Sequence, residues 1–282
     1  MKSLFINLRA ATRLLLFIAI VLIYFLNAIF WYVLTPDPIK RRKRLIENGS
    51  KYSQWILSAF NVHLDIINPV PQDEVSLVVG NHVGFIDIVC LQAVCPSVFI
   101  TSLEMKHTPG LGQITDLGGC VYVNRRNRMN IQGELQNITD VLKHGLRVVL
   151  YPESVASNGE QVLPFKKTLL MSAGFSEKPI RPYVFNFREV NGGAVQYEQR
   201  DSLCWYGDQT FGPAVWRSLK LDKVVCEIEF LPLFQTSASD DRSEIAAKLH
   251  QMISEKYVPF KLGMNAVQTN MAGSRSRTEL PT

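Results

Sequence analysis

Cysteine is scarce and unpatterned in this chain. Cys90, Cys95, Cys120, Cys204 and Cys226 form an odd, dispersed set with no C-x-x-C pair, which excludes a disulfide framework and fits buried thiols in a reducing compartment. His63, His107, His144 and His250 are equally scattered, so no metal site is expected. No internal repeat occurs. Basic residues are also in short supply where a nucleic-acid binder would need them. The chain has 30 Lys/Arg and 25 Asp/Glu, but residues 1–44 hold eight of the former and only Asp37 of the latter, leaving 22 basic and 24 acidic residues beyond. A backbone-binding surface requires a local basic excess, so no nucleic-acid partner is expected.

The longest absence is of charge. From Leu14 to Leu34, "LLLFIAIVLIYFLNAIFWYVL", only Asn27 is strongly polar. At 1.5 Å per residue such a helix reaches about 32 Å, the thickness of a bilayer's hydrocarbon core. Trp31 and Tyr32 suit the interface, Pro36 stops the helix, and the basic run Lys40 to Arg44 follows. No small-x-small cleavage site follows the run, which favours an anchor over a signal peptide. Basic residues flank both ends, so spanning and re-entrant arrangements both remain open. The positive-inside bias places the remainder of the chain on the cytoplasmic face of an inner or cytoplasmic membrane.

What is present after the anchor is alternation. Residues 39–60 show helical spacing of Leu45, Tyr52, Ile56 and Phe60 with an interruption at Gly49-Ser50, either an interfacial helix or an ordinary core helix. From residue 62, strands ("HLDIINP", "VSLVVG", "SVFIT", "CVYV", "RVVLYP", "IRPYVFNF", "KVVCEIEFL") alternate with helices predicted over 86–96, 128–143, 165–174 and 240–256. This pattern predicts an α/β fold with a mixed, largely buried sheet flanked by helices. Four segments are expected: an anchor over 1–36, an amphipathic interfacial helix over 37–61, one domain over 62–262, and a polar, disordered tail over 263–282.

Chemistry enters at "VVGNHVGFIDIVC". His82 and Asp87 are five apart, which on one continuous helix leaves them about 140° from each other. They can meet only if the chain bends. A strand ending near Asn81-His82 and a helix starting after Gly84 supply that bend, letting an aspartate orient one imidazole nitrogen while the other faces a hydroxyl. Three further stretches follow in order. "GGCVYVNRRNR" puts Arg125 after a short strand, with Arg126 and Arg128 nearby, as a phosphate or carboxylate site would need. "VVLYPES" puts Glu153 at a strand's edge, and "KPIRPYVF" carries Pro179 and Pro182.

Together these resemble the four sequence blocks of the glycerolipid acyltransferases, the lysophosphatidic acid acyltransferase family, over roughly residues 75–185; the N-terminal helices resemble those of bacterial members. The resemblance implies an acyl group moved from an acyl-CoA or acyl carrier protein thioester, a co-substrate with no bound cofactor, to a lysophospholipid hydroxyl at the bilayer. It implies that His82 is the general base, Asp87 orients it, Arg125 holds the acceptor's anionic head group and Glu153 shapes the acceptor pocket, with Gly119 opening the second block. Two departures stand out. Gly84 replaces the usual serine, and Glu153-Ser154-Val155-Ala156 replaces a pattern favouring Gly, Thr and often Arg. Lys166 or Lys167 is expected to restore the missing cation. The altered block also admits a second reading, a catalytically impaired relative that binds lipid head groups.

Overall fold

The computed structural model describes residues 2–124 and 130–260; Arg125 and the 263–282 tail lie outside them. In chain order the elements are α1 Lys2–Leu34, α2 Pro38–Phe60, β1 Val62–Ile67, β2 Leu77–Gly80, α3 Phe85–Val94, β3 Val98–Ser102, α4 Leu103–Lys106, α5 Leu111–Leu117 and β4 Val121–Val123. They continue as α6 Ile131–Lys143, β5 Val148–Leu150, α7 Met171–Ser176, β6 Ile180–Val190, β7 Gly193–Ala194, α8 Arg200–Leu203, α9 Phe211–Leu219, β8 Val224–Phe230 and α10 Arg242–Ser254.

Among the described residues the strands form one mixed sheet of eight, in the order β1-β8-β6-β2-β5-β3-β4, with β7 paired to β6. β6, β2, β5, β3 and β4 run parallel, while β8, with β1 alongside it, runs the other way. The central strands are apolar on both sides, as a sheet covered on both faces demands. Val78 and Val149 face a core shared with α1, α2, α3 and α9. Leu77, Val79, Val148 and Leu150 face a second core shared with α6, α7 and α10.

α1 is the one helix among the described residues long and apolar enough to cross a membrane. Its geometry is that of a lid along the domain. Ala10, Ile20, Tyr24 and Ala28 are buried in the first core, whereas Leu4, Leu8, Leu15, Leu22, Leu26 and Val33 on the other side stay exposed. Near its start, Arg9 pairs with Asp222 and Arg13 donates to the Leu221 and Asp222 carbonyls. Further along, the Tyr24 hydroxyl donates to the Ile114 carbonyl at 3.1 Å, and Trp31 lies under the Arg44 guanidinium. The chain reverses at Pro36-Asp37. The Asp37 carboxylate accepts from the Ile39 and Lys40 amides, and Pro38 takes the first helical position, where no N–H is needed.

Two expectations need correction. Gly49-Ser50 does not interrupt α2, which runs unbroken because that pair is where it crosses α3. A Cβ at Gly49 would stand 2.9 Å from Gln92 Nε2, which donates to the Ile46 carbonyl, and Ser50 Oγ donates to the Ala93 carbonyl. Nor is 165–174 a helix from its start: residues 152–168 form a long loop, and α7 begins only at Met171. The Lys166 amide donates to the Pro152 carbonyl, so the backbone is committed to the neighbouring strand end instead of to a helical ladder.

Candidate active site

Four side chains converge at the carboxyl end of β2 and β5. β2 ends at Gly80 and α3 starts at Phe85, so the turn between them carries His82 back over the first turn of α3. His82 Nδ1 lies 3.1 Å from both carboxylate oxygens of Asp87. A carboxylate can only accept, so Nδ1 carries the proton and Nε2 is left with its lone pair free for a substrate. Asp87 is fully buried, and the His82 side chain retains 17% exposure. The pair is anchored inside and open at one end.

Asp87 serves the turn as well as the imidazole. Its Oδ2 accepts from the Val83 and Gly84 amides at 2.6 and 2.8 Å, which caps α3, and its Oδ1 accepts from the Tyr151 hydroxyl at 3.0 Å. These donors offset the cost of burying a charge. The Tyr151 ring stacks on the His82 imidazole, centroids 4.2 Å apart and planes within 21°. Burial, then the Asp87 charge, holds the Tyr151 hydroxyl well above the usual phenol range, so it remains a donor. Sequence reasoning passed over Tyr151. A period of two along β5 puts it on the same face as Val149 and α3, which is the signal that was available.

Glu153 braces the turn from behind. Its Oε1 accepts from the His82 amide at 2.7 Å and its Oε2 from the Leu163 amide at 2.8 Å, while the Ser157 amide donates to the His82 carbonyl at 2.8 Å. Desolvation pushes its carboxyl up to about 7, against the opposing pull of the two backbone donors. With both oxygens engaged and the residue buried, Glu153 fixes the backbone of His82. Ser154, in the place of the expected glycine, has φ 66°, a left-handed conformation that strains a residue with a Cβ.

The other departure has a physical reason too. Gly84 has φ 155° with ψ −148°, and a Cβ there would stand 2.7 Å from the Trp205 backbone nitrogen. That nitrogen donates to the Val83 carbonyl at 2.9 Å. The aromatic segment 204–217 is therefore laid directly on the turn, with Phe211 edge-on to Phe85 and Trp205. Serine at 84 would push it away.

Lys166 and Lys167 are exposed and line a cavity of about 840 Å³ that also touches Tyr151, Pro152, Asn124 and Arg242. Lys167 Nζ donates to Ser243 Oγ at 2.7 Å. Tyr151 thus borders both this cavity and the His82 ring. Gly119 is not in this group. It precedes β4, three strands from β2 and at the opposite edge of the sheet, where its φ of 73° and lack of a side chain let Arg42 pack over it. The second block's arginine, Arg125, lies outside the described residues.

An α/β sheet carrying a carboxylate-oriented imidazole at its strand ends has the form of an enzyme's active site. Comparison with known proteins narrows this. Residues 61–186 match the family described as Acyltransferase. The chain is 28% identical over 217 residues to the 1-acyl-sn-glycerol-3-phosphate acyltransferase of Neisseria meningitidis, covering 77% of this chain and 81% of that protein. It is 30% identical over 185 residues to the lyso-ornithine lipid O-acyltransferase of Brucella abortus, covering 63% and 69%. The crystal structure of the 1-acyl-sn-glycerophosphate (LPA) acyltransferase from Thermotoga maritima shares the fold, with a TM-score of 0.64 at 17% identity over 99% of this chain and 100% of that one. This chain belongs to the acyltransferase family, as an O-acyltransferase of the 1-acyl-sn-glycerol-3-phosphate acyltransferase-like type.

Proposed function

We propose that this enzyme acylates the free hydroxyl of a lysolipid, lysophosphatidic acid or a related lyso-aminolipid, from an acyl-CoA or acyl carrier protein thioester. The observation that carries it is the His82–Asp87 contact, which fixes the tautomer a general base needs. His82 Nε2 takes the acceptor's hydroxyl proton as the oxygen attacks the thioester carbonyl. The tetrahedral intermediate then expels the thiolate, and the imidazolium returns the proton to sulfur. Asp87 stabilises the transient cation, Tyr151 holds the imidazole and the carboxylate in place, and Glu153 fixes the backbone. Lys166, Lys167 and, with it, Arg125 supply positive charge for an anionic acceptor. Both kinds of relative support this acceptor range, since one is named for a phosphate-bearing lysolipid and the other for lyso-ornithine lipid.

The same reading gives α1 a place in the membrane. The domain accompanies it from Arg9 to Trp31, roughly 33 Å at 1.5 Å per residue. A helix crossing a bilayer would need lipid around it over about that length. α1 therefore lies in one leaflet with its exposed apolar side toward the acyl chains, and the Lys40–Arg44 run puts the domain on the cytoplasmic face.

The decisive experiment is acyl transfer by purified protein in detergent, with labelled donor and a panel of lysolipids. His82→Ala is expected to lower turnover by about two to four decades with the fold intact, and Asp87→Asn to lose the imidazolium's stabilisation. Wild-type turnover in the His82 variant would end the mechanism. No product from any lysolipid with the wild-type protein would end the substrate assignment.

A further inference from the structure

At the other end of β4 from the cavity near Tyr151 lies a second cavity, of about 980 Å³, at the upper end of the range that small-molecule sites occupy. It opens between the α1–α2 reversal and α5, β4 and α6, at the sheet edge opposite His82. Its apolar wall includes Ile29 and Leu117, and Ile29 also belongs to the exposed, lipid-facing side of α1. The cavity is therefore continuous with the surface assigned above to the bilayer.

Its charges are arranged for a ligand. Arg42 is half-buried there and its side chain, among the described residues, makes no hydrogen bond or ion pair. Its neighbours do: Arg44 pairs with Glu47, and Arg41 lies 4.4 Å over the Tyr32 ring. Room for the Arg42 side chain is provided by Gly119, where a Cβ would stand 3.2 Å from Arg42 Cγ. Burial lowers the Arg42 pKa, against a smaller opposing pull from Cys120, the sign of a cation held away from water. The same cavity is also lined by two carboxylates, Asp116 and Asp140, whose Oδ1 atoms accept from Tyr122 Oη at 2.8 Å and Gln136 Nε2 at 2.7 Å. One unpaired guanidinium sharing a cavity with carboxylates suits a ligand carrying both signs.

We propose that this cavity is a binding site for an intact bilayer phospholipid with a zwitterionic, amine-bearing head group. Arg42 holds the phosphodiester, Asp116 receives the ammonium, and an acyl chain lies along Ile29 and Leu117. The site is separate from acyl transfer, and it tethers the α1–α2 hairpin to the lipid it lies in.

The test uses full-length protein in detergent, stripped of lipid and titrated with dioctanoyl phosphatidylethanolamine or dioctanoyl phosphatidylglycerol, with bound lipid counted by native mass spectrometry. Saturable binding of one phosphatidylethanolamine is expected. Arg42→Gln should weaken both lipids about tenfold, the scale of a charge-assisted phosphate contact. Lys43→Gln, the same charge change on an exposed neighbour, should stay within about twofold, as surface charge does. Asp116→Asn should weaken phosphatidylethanolamine alone. Melting midpoints for each variant separate lost binding from lost fold, because a folded Arg42→Gln protein that binds as wild type refutes the site. Equal losses in the Arg42 and Lys43 variants would reduce it to diffuse electrostatics. A phosphatidylethanolamine affinity untouched by Asp116→Asn would overturn the zwitterionic assignment. If Arg42→Gln lowered kcat/KM for lysolipid in step with lipid affinity, the cavity would be on the acceptor's path, and the claim of a separate site would fail while the acyl-transfer reading stood.

Discussion

Glu153 and Ser154 are adjacent, and each carries a cost the site imposes on the fold. Burial holds the Glu153 carboxyl near 7 from an ordinary 4.5. Between those values the folded chain keeps a proton that the unfolded chain has released, so stability falls as pH rises through the window, by up to about 3 kcal/mol, and levels off above it. Glu153→Gln should flatten that slope in denaturation midpoints taken from pH 5 to pH 8. It should also cost about 1–3 kcal/mol at the acidic end, since an amide cannot accept from both the His82 and Leu163 amides. An unchanged slope would show that another group titrates there. Ser154→Gly should act in the opposite direction, raising stability by about 0.5–1 kcal/mol by relieving the left-handed strain. A lower midpoint in denaturant would show that the serine side chain earns its place by its own contacts.

At the scale of elements, legibility followed how locally each feature is determined. The six main strands could be read because a doubly covered strand is a continuous apolar run, and the His82–Asp87 turn because a strand-to-helix change is written in its own few residues. Residues 165–174 misled because Phe165, Leu169 and Ala173 recur every four residues, as on one helix face, while the backbone of Lys166 is spent on Pro152. Tyr151 looked like one more core aromatic until β5 was placed beside β2, and Gly119 was separated from His82 by strand order, which no local pattern encodes. α1 hid most. Being apolar all round, it gives no sign of which side meets protein, yet it buries Ala10, Ile20, Tyr24 and Ala28 against Phe60, Tyr52 and Leu219. Each large side chain uncovered costs about 1.5–3 kcal/mol, against a whole-domain stability of about 5–15 kcal/mol. Deleting residues 1–36 should therefore lower the melting midpoint in detergent and promote aggregation. A monodisperse fragment melting with the full-length chain would show that α1 is only an anchor.

For the whole molecule, the sheet is a partition with different tasks at its two edges. The carboxyl edge holds the imidazole and a basic cavity, and the amino edge at β4 holds the proposed lipid site, which the α1–α2 reversal borders. The exposed stripe on α1, Leu4 through Val33, then decides what concentration means to this enzyme. In the leaflet placement proposed above, the enzyme would meet its acceptor by lateral diffusion in two dimensions, so its rate would respond to the acceptor's mole fraction in the surface. Diluting a fixed amount of lysolipid with inert detergent should slow the reaction, and adding lysolipid to restore the ratio should restore the velocity. Velocities that track total lysolipid regardless of detergent would mean that the acceptor arrives through water and that the stripe has another purpose.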